Sequence, residues 1–581
     1  MMRLICPLAL LLMAPARAQN AMVVDAGKVT GTIRSLQGVN CGPLNLKRNL
    51  DLTAWYRRLR IDTIRAHDYY GPFDIPAIFA DQTKSATDPK SYDFKDSDTY
   101  MKGIVDSGAV PFLRLGISWN QKGWALQMSL DKLAEVCRRI VMHYNAGWAS
   151  GHRYGITHVE FWNEPNGPGF WPGTAVQFFQ AYEKTVSKLK GDDASLIVGA
   201  CGLAGHEDPA YREAFISYCA KNSVPLDFYS WHLYGTRDRG KAKTPHPFDV
   251  VKNSRAVQAV LDASGMKTTG QILSEWNVAL GSDRGTWLQD VAGAAYCAST
   301  LIYMQDTEID KAHHYRGDVH GAGAGGMGLF VDGSTPQARA WVFQMNGSML
   351  LTSRRLEVTG TDQDGFAGLA GANGDGSEVR ILVADYQGTT TTRSLQVDNL
   401  PSGRWLVERW GMSVGTPKYQ RLDSGLMTVS GSLSLSLPSG RYVQQVRITK
   451  AKGTGAVLRL ADPMLPYQGA RGDFVISGAP PGATYIVAMS ASGSQPGFRL
   501  PGGPILPLNY DVLTDVGLAL LGTPSFRDLS GTVPASGTLA GSFDFGKLPA
   551  IAISGEVTFA GVFLSGARFA AVTNADSAKV Q

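Results

Sequence analysis

Past its first twenty residues this 581-residue chain has no long hydrophobic run, so it lacks the roughly 20 apolar residues a membrane helix needs. It also lacks any block of Lys or Arg, and its formal charge of +5 is small for the length. Both features argue against nucleic acid as a partner. Cysteine is scarce, with no CxxC and no His/Cys group at zinc spacing, so no metal site is expected. Cys6 lies in the opening apolar run, leaving Cys41, Cys137, Cys201, Cys219 and Cys297. Cys201 and Cys219 are closest in sequence, but a domain this large needs no staple, and buried free thiols are the expectation. Charged residues make up only 18% while glycine numbers 66, as in a β-rich exported protein.

The chain opens on Arg3, the apolar run Leu4 to Ala14, and Ala16-Arg17-Ala18. Residues 1–18 therefore read as a signal peptide, and the mature protein as secreted or periplasmic. The length exceeds what one core can organise, so two to four domains are expected.

From residue 36 to 353, short β-branched runs alternate with amphipathic stretches. The candidate strands are Leu36–Asn40, Thr63–His67, Val110–Leu115, His158–Trp162, Leu196–Ala200, Phe228–Leu233, Ile272–Trp276 and Ala312–Tyr315. Eight βα repeats predict an α/β fold, a (β/α)₈ TIM barrel. Past Arg354 the period changes to two, with turn residues between runs at Val379–Ala384, Arg404–Trp410, Met427–Leu437 and Tyr442–Thr449. This predicts a β-sandwich domain over 354–450, which residues 19–35 join. Lys450–Gly455 reads as a linker. Residues 456–581, without Trp or Cys, are expected to form an additional C-terminal all-β module.

The chemistry sits in two segments of one build. Phe161-Trp162-Asn163-Glu164-Pro165-Asn166 follows a strand, and Gln271-Ile272-Leu273-Ser274-Glu275-Trp276-Asn277 is the other. Proline stops the first strand, because it has no N–H to offer the ladder. Each segment thus places a carboxylate at the lip of a strand, where barrel enzymes hold their reacting groups. An isolated glutamate there caps a helix or meets an arginine. Two of them, three βα units apart and each beside Trp and Asn, supply the acid/base and the nucleophile that glycosidic cleavage requires. Trp119, Trp171, Trp276 and Trp287 are candidate platforms for a pyranose face, Trp171 and Trp276 foremost.

WNEPN followed by a strand ending in SEWN resembles glycoside hydrolase family 39, a family of retaining barrel enzymes with glutamates on strands four and seven. The likeness runs over roughly residues 22 to 450. It implies that Glu164 is the general acid/base, that Glu275 is the nucleophile, and that Asn163 meets the sugar 2-hydroxyl. The family's His-x-Tyr on strand six falls on His232 and Tyr234. Its Arg-x-His on strand two falls on Arg65, expected to brace a carboxylate, and His67, expected to touch a sugar hydroxyl. The implied activity is β-xylosidase-like cleavage of a β-linked oligo- or polysaccharide, with no cofactor. The alternatives are an endo-acting exopolysaccharide hydrolase or arabinosidase on the same barrel, and a non-catalytic carbohydrate-binding surface protein.

Strand eight departs from the family pattern. It reads Lys311-Ala312-His313-His314-Tyr315-Arg316-Gly317-Asp318, without the tryptophan many relatives carry there, and its basic end suits an acidic or heavily hydroxylated sugar. Gly321 to Gly326 satisfies GxGxxG but follows the last strand, so a loop is expected rather than a dinucleotide site. His313, His314 and His320 have no HExxH or carboxylate spacing, and no metal site is expected of them.

Overall fold

A computed structural model describes residues 21–204, 208–238, 241–280, 290–320, 326–333, 335–390, 392–451, 455–461, 464–465, 471–494, 496–547 and 555–580. The predicted leader, Trp287, the glycine run 321–325 and the middle of the linker lie outside these residues. Eight parallel strands close into a barrel. They are β1 (Gly38–Asn40), β2 (Thr63–Ala66), β3 (Val110–Leu115), β4 (His158–Phe161), β5 (Ile197–Leu203), β6 (Phe228–Tyr234), β7 (Gly270–Asn277) and β8 (Ile309–His314). The two glutamate segments therefore follow β4 and occupy β7.

The outer layer includes α1 (Lys95–Asp106), α2 (Leu130–Asn145), α3 (Ala175–Asp192), α4 (Pro209–Asn222), α5 (Asp249–Ala263) and α6 (Val291–Met304). In α2 the Ser129 hydroxyl caps the first turn, and Leu133, Val136, Cys137, Ile140, Val141 and Tyr144 recur every three or four residues on the buried side, the stripe that docks a helix on a barrel. Thr174 and Gln177 form a reciprocal capping box on α3. Among the described residues no helix is long and apolar enough to cross a membrane. All five cysteines there are buried free thiols.

Strands β9 (Arg354–Thr359), β10 (Phe366–Ala372), β11 (Glu378–Thr389), β12 (Ser394–Ser413), β13 (Thr416–Ser436) and β14 (Gly440–Lys450) make the second region. The N-terminal strand Ala21–Thr32 joins them twice, antiparallel to β9 and parallel to the start of β12. That double pairing curls one sheet onto itself around Trp405, Val24, Ile381 and Val446.

The C-terminal region is sheet-rich, with its own core around Phe474, Phe559 and Phe563. It is not all-β, because α7 (Val512–Ala519) packs beside the strand Thr484–Ser490. Asp511 and Thr514 form a capping box that starts this helix, a signal sequence reading missed in a region dominated by Gly, Pro and Ser.

Candidate active site

Barrel strands alternate their side chains in and out, and charged residues inside apolar strands mark the inner wall. Asn40 of β1 and Arg65 of β2 are register partners, as are Arg114 of β3 with Glu160 of β4, and His232 of β6 with Glu275 of β7. Phe112, Phe228 and Ile272 form an apolar floor. Two residues further along β3, Arg114 lies on the same inner face.

On β7 the alternation breaks. A register shift between Leu273 and Glu275 turns the glutamate inward, which is what a bulge does beside an active site. Trp276 then sits with its ring 5.0 Å from His314, which in turn meets Phe343 of a covering helix. Trp276 is 1% exposed, so the expected platform is core. Trp171 is likewise buried. It lies edge-on to Trp162 at 4.9 Å and donates its ring N–H to the Thr174 carbonyl at 2.9 Å. Neither ring offers a face to a sugar, because the Trp276 ring turns outward onto His314 and the Trp171 ring packs edge-on against Trp162 and Phe178. Trp119, at the end of β3, is 65% exposed.

Arg65 organises the site. Fully buried, it donates to Glu160 at 2.6 Å, to Glu275 at 2.8 Å, to the Asn163 side-chain oxygen at 2.8 Å and to that of Asn40 at 3.1 Å. Glu275 receives more. His67 Nε2 lies 3.1 Å from its Oε1, and the Tyr234 hydroxyl donates to Oε2 at 2.7 Å. Arg114 donates to His67 Nδ1 at 3.1 Å and pairs with Asp74 at 2.6 Å. Burial, then the Arg65 and Arg114 charges, hold the His67 imidazole well below its ordinary range and so neutral. With Nδ1 accepting from Arg114, Nε2 carries the proton and donates to Glu275. His67 was expected to touch sugar. Both its nitrogens are engaged within the protein and it is 3% exposed, so it positions Glu275 instead.

Glu164 is differently placed. Its Oε1 lies 3.0 Å from His232 Nδ1, and its side chain is 21% exposed. Trp162 and Glu164 both take positive φ, 76° and 48°, a conformation uncommon outside glycine that concentrates at functional sites. The Glu164 N–H donates to the Gly202 carbonyl at 2.9 Å. Gly202 also has positive φ, and a Cβ there would stand 3.3 Å from His232 Nε2 and 3.4 Å from Arg65 and Glu160. An oxygen of Glu164, an oxygen of Glu275 and a nitrogen of His232 all lie within 4.8 Å of one another. Residues remote in sequence thus converge on one gap.

At β8 the basic end is neutralised. Arg316 pairs with Asp318, through a second contact at 2.9 Å, and approaches Asp68 at 3.7 Å. The Tyr315 hydroxyl donates to Asp68 as well. Burial pushes the Asp68 carboxyl up to about 6, against the lowering effect of Arg316. Arg316 therefore offers no spare charge to an acidic sugar. His313 and His314 are buried, the first 3.1 Å from the Thr63 hydroxyl.

Sequence reading missed Asn40, Arg114, Asp74, Glu160 and Gly202. For Arg114 and Glu160 a signal existed, a lone charge inside an apolar strand.

A closed parallel barrel with glutamates at its fourth and seventh strand ends defines the class of barrel enzymes built for glycosidic bonds. The model of Glycosyl hydrolases family 39 matches residues 25–316, half of the chain, and the chain belongs to that family. It is 31% identical over 140 residues to a β-xylosidase of Geobacillus stearothermophilus, a stretch covering 22% of this chain and 28% of that protein. A glucosidase from Croceicoccus marinus matches with TM-score 0.64 and 27% identity over 74% of this chain and 99% of that one. A bacterial orthologue of human α-L-iduronidase shares the fold, at TM-score 0.59 and 16% identity, over 94% of this chain and 97% of its own. That last match is long enough to include the C-terminal region.

Proposed function

We propose that the protein is an exported, retaining glycosidase that releases a β-linked sugar, β-xyloside first, from an oligo- or polysaccharide. The observation that carries this is the approach of Glu164 and Glu275 oxygens to within 4.8 Å. Retaining enzymes hold their carboxyls about 5–5.5 Å apart, whereas inverting ones leave roughly 6.5–9.5 Å for a water.

The division of labour follows from the contacts. Glu275, fixed by Arg65, His67 and Tyr234, attacks the anomeric carbon as the glycosidic C–O bond breaks. Glu164, held by His232 and reachable from solvent, gives its proton to the leaving oxygen. Water then enters, Glu164 takes its proton, and the hydroxide displaces Glu275 to free the sugar. Asn163 has its side-chain oxygen engaged by Arg65, which leaves its NH₂ to donate to the 2-hydroxyl. Trp119, beside Phe170 at 6.1 Å, suits the leaving-group side of the chain.

β-Glucosides are the second reading, favoured by the likeness to a glucosidase over 74% of this chain. A panel of aryl xyloside, glucoside, galactoside and arabinoside, with the first-formed anomer followed by NMR, separates them. A first product of inverted configuration overturns the retaining mechanism. Wild-type turnover in Glu275→Gln overturns the site.

A further inference from the structure

Asp98 of α1, His143 of α2 and His152 of the following loop meet in the outer helical layer, away from the strand ends. His143 Nε2 lies 2.9 Å from Asp98 Oδ1, His152 Nε2 lies 3.5 Å from the same oxygen, and all three atoms are within 4.8 Å of one another. The other nitrogen of His143 fixes the chemistry. Nδ1 stands 2.9 Å from the Trp148 carbonyl oxygen, which only accepts, so Nδ1 carries the hydrogen. That leaves Nε2 as the ring atom facing Asp98 and His152, and a ring hydrogen-bonded through Nδ1 to a carbonyl is the usual setting of a metal-binding histidine.

The backbone is arranged to bring the second imidazole in. Ala149 and Ser150 take φ of 55° and 59° in succession, and the His152 N–H donates to the His143 carbonyl at 2.6 Å. A Cβ at Gly151 would stand 2.2 Å from that carbonyl oxygen and 2.5 Å from His143 Nδ1, so only glycine lets the loop fold this close. Strain of this kind persists where surroundings impose it.

We infer that Asp98, His143 and His152 bind a divalent transition ion of the zinc class. With bonds of about 2.0–2.1 Å, tetrahedral ligands sit roughly 3.3 Å apart, and the observed 2.9 and 3.5 Å bracket that spacing. Asp98 and His152 side chains are 30% and 33% exposed, so an ion can enter and water can complete its shell. Two imidazoles and a carboxylate suit zinc rather than calcium or magnesium. The ion would clamp the loop to α1 and leave the glycosidic chemistry untouched.

The test uses the full chain stripped with chelator and titrated with zinc by calorimetry, with cobalt(II) as a visible probe of geometry. The site expects one equivalent bound, a higher Tm, and tetrahedral cobalt bands. His152→Ala, at a partly exposed position that should fold, loses affinity by about 100-fold or more and keeps wild-type glycosidase turnover. Zinc binding unchanged in His152→Ala overturns the inference, and so does absence of binding at millimolar zinc. Binding removed by Glu275→Gln but not by His152→Ala also overturns it, by placing the ion in the barrel mouth.

Discussion

Two buried charge clusters in this molecule use the same residue types for different ends. In the barrel mouth Arg65 holds Glu160 and Glu275. Where the curled sheet meets the C-terminal region, Glu378 is held by Arg380 at 2.6 Å, by Arg447 at 2.9 Å and by Arg459 at 3.7 Å. Arg459 also meets Asp576 at 3.0 Å, and Arg447 donates to the Leu460 carbonyl. The second cluster balances three arginines against Glu378, Glu408 and Asp576, and its Arg447 and Arg459 bonds tie one strand to another. The mouth differs in two respects. One of its acids, Glu164, meets His232 rather than an arginine, and Glu275 is held by His67 and the Tyr234 hydroxyl as well as by Arg65. A carboxylate saturated by guanidinium is a rivet. Glu164, held by an imidazole with a second carboxylate facing it, can react.

That contrast fails most visibly if the wrong cluster controls turnover. Glu164→Gln should lower kcat by about 10²–10⁴-fold, and Glu275→Gln at least as much, with thermal unfolding unchanged for Glu164→Gln. Arg447→Met should do the reverse. It leaves Glu378 and Glu408 buried with one partner fewer, costing about 3–5 kcal/mol, while kcat of the folded protein stays at the wild-type value. A kcat loss in Arg447→Met would erase the distinction.

The two clusters also answer pH with opposite sign. Burial opposes ionisation of Glu378, but Arg447, Arg380 and Arg459 overcome it and pull its carboxyl down to about 2. Its contribution is complete above the unfolded value near 4.5 and disappears as pH falls toward 2, about 3 kcal/mol across that window. Asp68 at the mouth has its carboxyl pushed up to about 6. The folded state then binds the proton more tightly than the unfolded chain, so stability declines as pH rises from about 4 to 6, by about 3 kcal/mol at most. Chemical denaturation across pH 2–7 should show both slopes. Glu378→Gln flattens only the lower and Asp68→Asn only the upper.

Much of the mouth was legible in the chain because the relevant signals are local. Trp162-Asn163-Glu164-Pro165 follows β4 directly, and all eight barrel strands overlap the short apolar runs read from the sequence. The rest depends on neighbours that sequence does not reveal. A bulge on β7 decided that Glu275 faces in and Trp276 faces out. His67 lost its sugar contact because Arg114, distant along the chain, claims its second nitrogen. Arg316 looked available to a charged substrate until Asp68 and Asp318 closed on it. Helix α7 escaped notice because it is only eight residues long, too short for periodicity to stand out. At His67 and Arg316 the pattern gave residue type and spacing correctly, and partners outside the motif set the outcome.

The smallest effect tests where the mouth continues beyond the reacting atoms. With Trp171 and Trp276 in the core, Trp119 is the exposed tryptophan beside the β3 lip, 65% accessible, with the Lys122 ammonium 4.3 Å from its ring centroid. An indole that stacks on a sugar ring contributes on the order of 1 kcal/mol, which corresponds to about fivefold in affinity. Trp119→Ala should therefore raise KM about fivefold for a disaccharide or longer chain and leave KM for a small aryl glycoside unchanged, since only the longer substrate reaches past the cleaved bond. Equal shifts for both would mean that Trp119 supports the loop rather than the ligand. The leaving-group side of the cleft would then have to be sought among the loops that follow β7 and β8.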